Sequence, residues 1–190
     1  MEAGVLTGNF HDAKLHRENR GVFMKEGYRR MSSAGFNCAD LTVLCSTWSD
    51  YYTKPLFEAI ADAKREREIA EAVGIRIHQV HGPWPTYDTT GEKRRQKLVY
   101  MERAIRLTSV FGGHYLVIHP DMPFGWEEEL DSAFTRQTNL EMLHALLTIA
   151  EQENVIICLE NMSTKPYVIS RAVQMYNFIR EINHPNTEEC

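Results

Sequence analysis

Three residues that can hold a divalent metal or move a proton, His81, His119 and Glu160, each close an apolar run of this chain. The runs are Ile75-Arg76-Ile77-His78-Gln79-Val80-His81, Tyr115-Leu116-Val117-Ile118-His119 and Val155-Ile156-Ile157-Cys158-Leu159-Glu160, spaced about 40 residues apart. On a period of two, His81 is expected to share a face with Ile75, Ile77 and Gln79. His119 then shares one with Tyr115 and Val117, and Glu160 one with Ile156 and Cys158. Neutral imidazole and carboxylate suit Zn²⁺, Mn²⁺, Co²⁺ or Fe²⁺. Three such groups on neighbouring strands could converge on one ion.

The elements that must position them alternate. Strands are expected at Gly4 to Gly8, Asp40 to Cys45, Ile75 to His81, Tyr115 to His119 and Val155 to Leu159. Between them, helices are expected from about Val22 to Ala34, Pro55 to Val73, after Thr89 to Phe111, and Asp131 to Glu153. A last helix carries Val168, Ala172, Met175, Ile179 and Ile182 and breaks at His184-Pro185. Gly35, Gly74 and Gly112-Gly113 are stop signals, and Thr89 with Glu92 fits a capping box. In the Pro55 helix, Phe57, Ile60, Ile69 and Val73 fall roughly on one side, and Lys64 to Glu68 reads as a solvated charged face. His78 is expected to face away from His81, against a helix.

Strands apolar on both faces, each followed by an amphipathic helix, imply a parallel sheet covered by helices. Neither GxGxxG nor GxxxxGK[ST] occurs, which argues against a nucleotide-binding doubly wound sheet. The alternative is an α/β fold of the (β/α)8 TIM-barrel type, with its site at the C-terminal strand ends, where His81, His119 and Glu160 fall. Eight units need roughly 250 residues, and this chain has 190. Residues 1–190 therefore read as a single, incomplete barrel domain of about five β/α units, with a sixth strand beginning near Glu188-Glu189-Cys190. Its open edge would need a second copy or a complementing chain.

Bulk properties narrow the partners. The chain is 43% apolar and 25% charged, with a formal charge of −5. A pI near 5.9 supplies no basic footprint for nucleic acid. There is no run of 18 apolar residues and no secretory pattern, so neither membrane span nor signal is expected. The four cysteines, Cys38, Cys45, Cys158 and Cys190, form no CxxC pair. A reduced, cytoplasmic protein with structural thiols, two of them in strands, is the expectation.

The segments HGPWP, VIHPD and CLENM, in this order and spacing, resemble the xylose isomerase-like barrels, which include sugar phosphate isomerases and epimerases and endonuclease IV-type phosphodiesterases. The resemblance runs along essentially the whole chain, and the LEN segment is its most specific element. It implies that Glu160 binds a divalent metal (Mn, Zn, Co or Mg) and acts as an acid/base carboxylate. His81 and His119 match histidines that bind metal in the endonuclease branch and line the substrate pocket in many isomerase-like members. The implied reaction is proton abstraction next to the carbonyl of a sugar or sugar phosphate, through a metal-stabilised enediolate. Later ligands of the superfamily, on strands six to eight, have no counterpart here. The alternatives are an endonuclease IV-like phosphodiesterase and a non-catalytic ligand-binding remnant. Trp84 could form an apolar wall for substrate, Lys165 could meet a phosphate, and Asn161 could orient Glu160.

Overall fold

Six short runs, the central ones rich in β-branched and other apolar residues, pair side by side in the structure, a computed structural model that describes residues 4–10, 20–84, 90–125, 129–161 and 168–189. They are β1 (Gly4–Leu6), β2 (Cys38–Leu41), β3 (Arg76–His81), β4 (Tyr115–Ile118), β5 (Ile156–Leu159) and β6 (Thr187–Glu189). All neighbours are parallel, and the sheet order is the chain order, β1 to β6. That order is the signature of successive β/α units laid down in one rotational sense, as in a TIM barrel. Five units and a sixth strand are present, the sixth where the spacing predicts it.

The connecting helices are α1 (Arg20–Ser33), a single turn α2 (Asp50–Thr53), α3 (Leu56–Glu71), α4 (Gly91–Phe111), α5 (Ser132–Gln152) and α6 (Ala172–Ile182). Local chemistry sets their ends. The Thr90 hydroxyl accepts from the Lys93 amide at the start of α4, and the Asp131 carboxylate accepts from the Phe134 amide at the start of α5. Thr89, the expected cap, lies outside the described residues. Gly112 closes α4 at φ 82°, a left-handed conformation that favours glycine. Among the described residues no helix is long and apolar enough to cross a membrane.

One core joins the strands to the helices, with Leu41, Ile77, Val80, Leu116, Ile118, Ile157 and Leu159 facing Met101, Ile105, Phe111, Leu143 and Leu147. The α3 helix departs from the expected stripe. Phe57 is 72% exposed, while Ala59, Ala63, Glu66 and Ala70 are buried. Small residues let α3 lie close to its neighbours. Glu66 also corrects the reading of Lys64 to Glu68 as a wholly solvated face. Its carboxylate is buried and accepts hydrogen bonds from the Tyr28 and Tyr51 hydroxyls, both at 3.0 Å. Two donors satisfy the buried charge and tie α1 and α2 to α3.

Two strands also differ from expectation. β2 ends at Leu41, so Cys45 stands in the turn beyond it, not in the strand. Between β2 and β3 the register slips: Ala39 pairs with Ile77, but Asp40 pairs with Gln79. The extra residue is His78, a β-bulge that interrupts strict alternation. Ile75, Ile77 and Val80 therefore lie in the core, while Gln79 and His81 line the opposite, inner face. His81 does not share a face with Ile77 as a period of two predicts. His78 does not pack against a helix either: it lines the inner cavity, its ring 5.1 Å from that of Tyr115.

Candidate active site

The C-terminal ends of β3, β4 and β5 bring His81, His119 and Glu160 together, as their positions in sequence predict. His81 is the last residue of β3, and His119 and Glu160 each follow their strand by one residue. The strand ends stay in register beyond the regular ladder. Gly82 donates to the Val117 carbonyl at 2.7 Å, and Glu160 donates to the Ile118 carbonyl at 2.9 Å. Gly82 is required by contact: a Cβ there would lie 2.8 Å from Ile118 Cγ2 and 3.2 Å from the Val117 carbonyl oxygen. The glycine of the HGP segment thus lets β3 close upon β4 beside the two histidines.

Glu160 is the point of convergence. Its Oε2 lies 3.4 Å from His81 Nε2 and 3.6 Å from His119 Nε2. On its other side the His81 ring meets a residue that sequence reasoning passed over. Asp40, on β2, sets its Oδ1 3.0 Å from His81 Nδ1 and accepts from Gln79 Nε2 through Oδ2 at 2.8 Å. In sequence Asp40 is the first residue of the strand expected from Asp40 to Cys45. It stands instead near the strand's end, facing inward, and the only sequence signal was an acidic residue flanked by apolar ones.

The two imidazoles differ electrostatically. The hydrogen bond to Asp40 raises the His81 pKa above its ordinary value, against an opposing push from burial, with Glu160 adding to the rise. His119 is lowered, chiefly by burial, with Glu160 opposing and His81 reinforcing. Trp84 contributes to that burial. Its ring meets the His119 ring edge to face at 4.6 Å, and it also packs on the buried Met122. The Trp84 amide donates to the Cys45 carbonyl at 2.6 Å, which fixes the wall to the turn after β2. Among the described residues, His119 Nδ1 is buried without a hydrogen-bond partner.

His81, Glu160 and Asp40 border a cavity of about 720 Å³ on the inner face of the sheet, lined also by Cys45, Gln79 and Cys158. That volume lies within the ~300–1,000 Å³ of ordinary small-molecule pockets. Burial, then Asp40 and Glu160, push the Cys45 thiol up, so it stays neutral beside the carboxylates. Asn161 follows Glu160 and is exposed, and Lys165 lies outside the described residues.

The donor types fit a borderline divalent cation: two imidazole nitrogens aimed at one carboxylate, one ring braced from behind by a second carboxylate. The set is open, however. Among the described residues no group of three or more His, Cys, Asp or Glu side chains is gathered closely enough to hold a metal ion alone. A cation here would draw further donors from elsewhere.

Comparison with known proteins places the fold. The model of the family described as xylose isomerase-like TIM barrel matches residues 28–190. A probable endonuclease 4 from Mycoplasma mobile is 32% identical over 114 residues, which is 58% of this chain and 38% of that protein. A 3-keto-D-glucoside 4-epimerase from E. coli superposes with a TM-score of 0.74 at 14% identity, covering 100% of this chain and 67% of its own. A xylose isomerase-like TIM barrel protein from Mycobacterium smegmatis, in complex with magnesium, gives 0.73 at 15% identity, covering 100% and 63%. The chain thus spans about two thirds or less of the length of each of these proteins.

Proposed function

We propose that this chain, which belongs to the xylose isomerase-like TIM barrel family, carries one rim of an active site that moves a proton at the carbon beside a sugar carbonyl. The observation that carries the reading is the convergence of both imidazole Nε2 atoms on Glu160 Oε2, beside an open cavity of about 720 Å³ that Glu160 and His81 line. Glu160 is the base. With its side chain 41% exposed it is accessible to a substrate in the cavity, and general-base help from a positioned carboxylate supplies typically ~10²–10⁴-fold in rate. His81 and His119 flank it, where they bind substrate oxygens and orient the reacting carbon. Trp84 excludes water from the His119 side. Glu160, His119 and His81 are the residues that would hold a divalent cation, which when bound polarises a carbonyl oxygen. Asn161 and Lys165 remain candidate substrate contacts on the segment after β5.

The fold shared with a keto-sugar epimerase supports a sugar substrate for the isomerase/epimerase reading, and a sugar phosphate is the other substrate that reading admits. A second reading has its own observation. The Mycoplasma mobile relative favours a phosphodiesterase that would use the same three residues. One experiment separates them. Wild-type protein and Glu160→Gln are incubated in D₂O with keto-sugars and, separately, with abasic-site DNA. Deuterium entering the α-carbon, lost in the variant, supports the proton-transfer reading. Strand cleavage without exchange replaces it with the phosphodiesterase, and neither activity from wild type overturns both.

A further inference from the structure

We propose that Tyr52 and Asn139, two buried residues outside the cavity lining, are positioning residues that seat the Trp84 indole against His119. The inference deepens the functional reading above and rests on it only for what the seated indole serves.

Trp84 stands where the turn after β2 meets the loop after β4. On the first side its amide donates to the Cys45 carbonyl, and Ser46 bridges to Trp84 as a parallel strand would. That turn is held from behind. The Tyr52 hydroxyl donates to the Leu44 carbonyl at 2.6 Å, one residue before the acceptor that Trp84 uses. The Tyr52 ring is itself fixed by stacking on Tyr100 of α4, centroid to centroid at 4.8 Å. Leu44 is fully buried, so water cannot take the place of the hydroxyl.

On the second side the indole packs on Met122. Met122 follows Asp121, whose two backbone polar groups are gripped by one side chain of α5. Asn139 Oδ1 accepts from the Asp121 amide at 2.7 Å, and Nδ2 donates to the Asp121 carbonyl at 2.9 Å and to the Thr135 carbonyl at 2.8 Å. A side-chain amide thus supplies, just past the end of β4, the pairing that a neighbouring strand supplies within it. Asn139 is buried as deeply as Leu44, so this clamp has no solvent substitute either. The two clamps approach Trp84 from opposite flanks. Loss of either leaves the indole supported on one side only.

The test reads Trp84 alone. The chain has three tryptophans, so Trp48→Phe and Trp126→Phe leave Trp84 as the single emitter. Tyr52→Phe, which keeps the ring and its stack, and Asn139→Ala are introduced into that background. Each is expected to shift the Trp84 emission to the red and to increase its quenching by acrylamide. Thr108→Val is the control. It removes a buried hydroxyl that donates to the Ala104 carbonyl near the far end of α4, and is expected to leave emission and quenching unchanged. Where Asn139→Ala does not fold, Tyr52→Phe decides. Unchanged emission and quenching in Tyr52→Phe, or an equal change in Thr108→Val, overturns the proposal. Exchange of the α-proton of keto-sugars in D₂O by the same variants then addresses the function. A loosened indole with slower exchange upholds the proposal and the role of the wall. A loosened indole with unchanged exchange upholds the positioning role and overturns the exclusion of water assigned to Trp84.

Discussion

His81 and His119 occupy equivalent strand ends and approach the same oxygen of Glu160, yet their surroundings oppose each other. The β3 end is braced by polar groups: Asp40 holds the ring from behind and favours its charged form. The β4 end is apolar: Trp84 covers the ring, Nδ1 has no partner among the described residues, and burial favours the neutral form. Equivalent positions in a repeating fold thus give two different reagents. One has its orientation fixed by a hydrogen bond, and the other has its charge suppressed by exclusion of water. The difference comes from the neighbouring strand and loop, not from the histidine itself.

The largest expected effect tests whether the two rings act through one group. Glu160→Gln is expected to reduce α-proton exchange by ~10²–10⁴-fold. A loss smaller than tenfold means that the histidines do not work through Glu160, and their comparison loses its common target. The next effect tests whether close approach of the strand ends matters. Gly82→Ala puts a methyl group against Ile118 and the Val117 carbonyl. It is expected to destabilise the protein by about 1–3 kcal/mol, read as several degrees in melting temperature. An unchanged melting curve shows that β3 and β4 can separate without cost.

The smallest effect is a difference of sign. The raised pKa of His81 contributes stability that is fully present below its unfolded value and is lost as pH rises through the folded value. The lowered pKa of His119 does the reverse: charging the buried ring opposes folding at low pH, and that cost disappears as pH rises through the unfolded value. Relative to wild type, His81→Asn should therefore lose most stability at the acidic end of a pH series. His119→Asn should fare relatively best there. Melting temperatures of both variants measured from about pH 5 to 9, around the ordinary histidine value, check this. Parallel curves remove the contrast between the two strand ends.

Much of this was legible in the chain. Each of β3, β4 and β5 is a continuous apolar run ending in a group with chemistry, so both the parallel sheet and the meeting of His81, His119 and Glu160 followed from pattern and spacing. What stayed hidden depended on neighbours distant in sequence. Asp40 takes its meaning from residues 39 and 41 positions later, and nothing local marks it. Glu66 sits in a run of charges and is polar by every local measure, yet two tyrosines from other helices make its burial tolerable. The segment of Cys45 is apolar enough for a strand, yet the backbone turns after Leu41 to build the rim. Periodicity reports which elements form. It does not report a register slip, because one extra residue leaves composition and apolar content unchanged.

That slip has a consequence for how β3 tolerates change. The extra residue at His78 acts as a half-wavelength shift in the strand. Upstream of it, odd-numbered residues serve the helices; downstream, odd-numbered residues serve the cavity. Removing His78 would restore a regular wave in which Ile77 and Val80 still serve the core and Gln79 and His81 still serve the cavity, each with its present partner on β2. The bulge is therefore a place where β3 can shorten by one residue without changing what it shows to either side. An insertion or deletion between Gln79 and His81, by contrast, would turn His81 away from the cavity unless the slip moved with it.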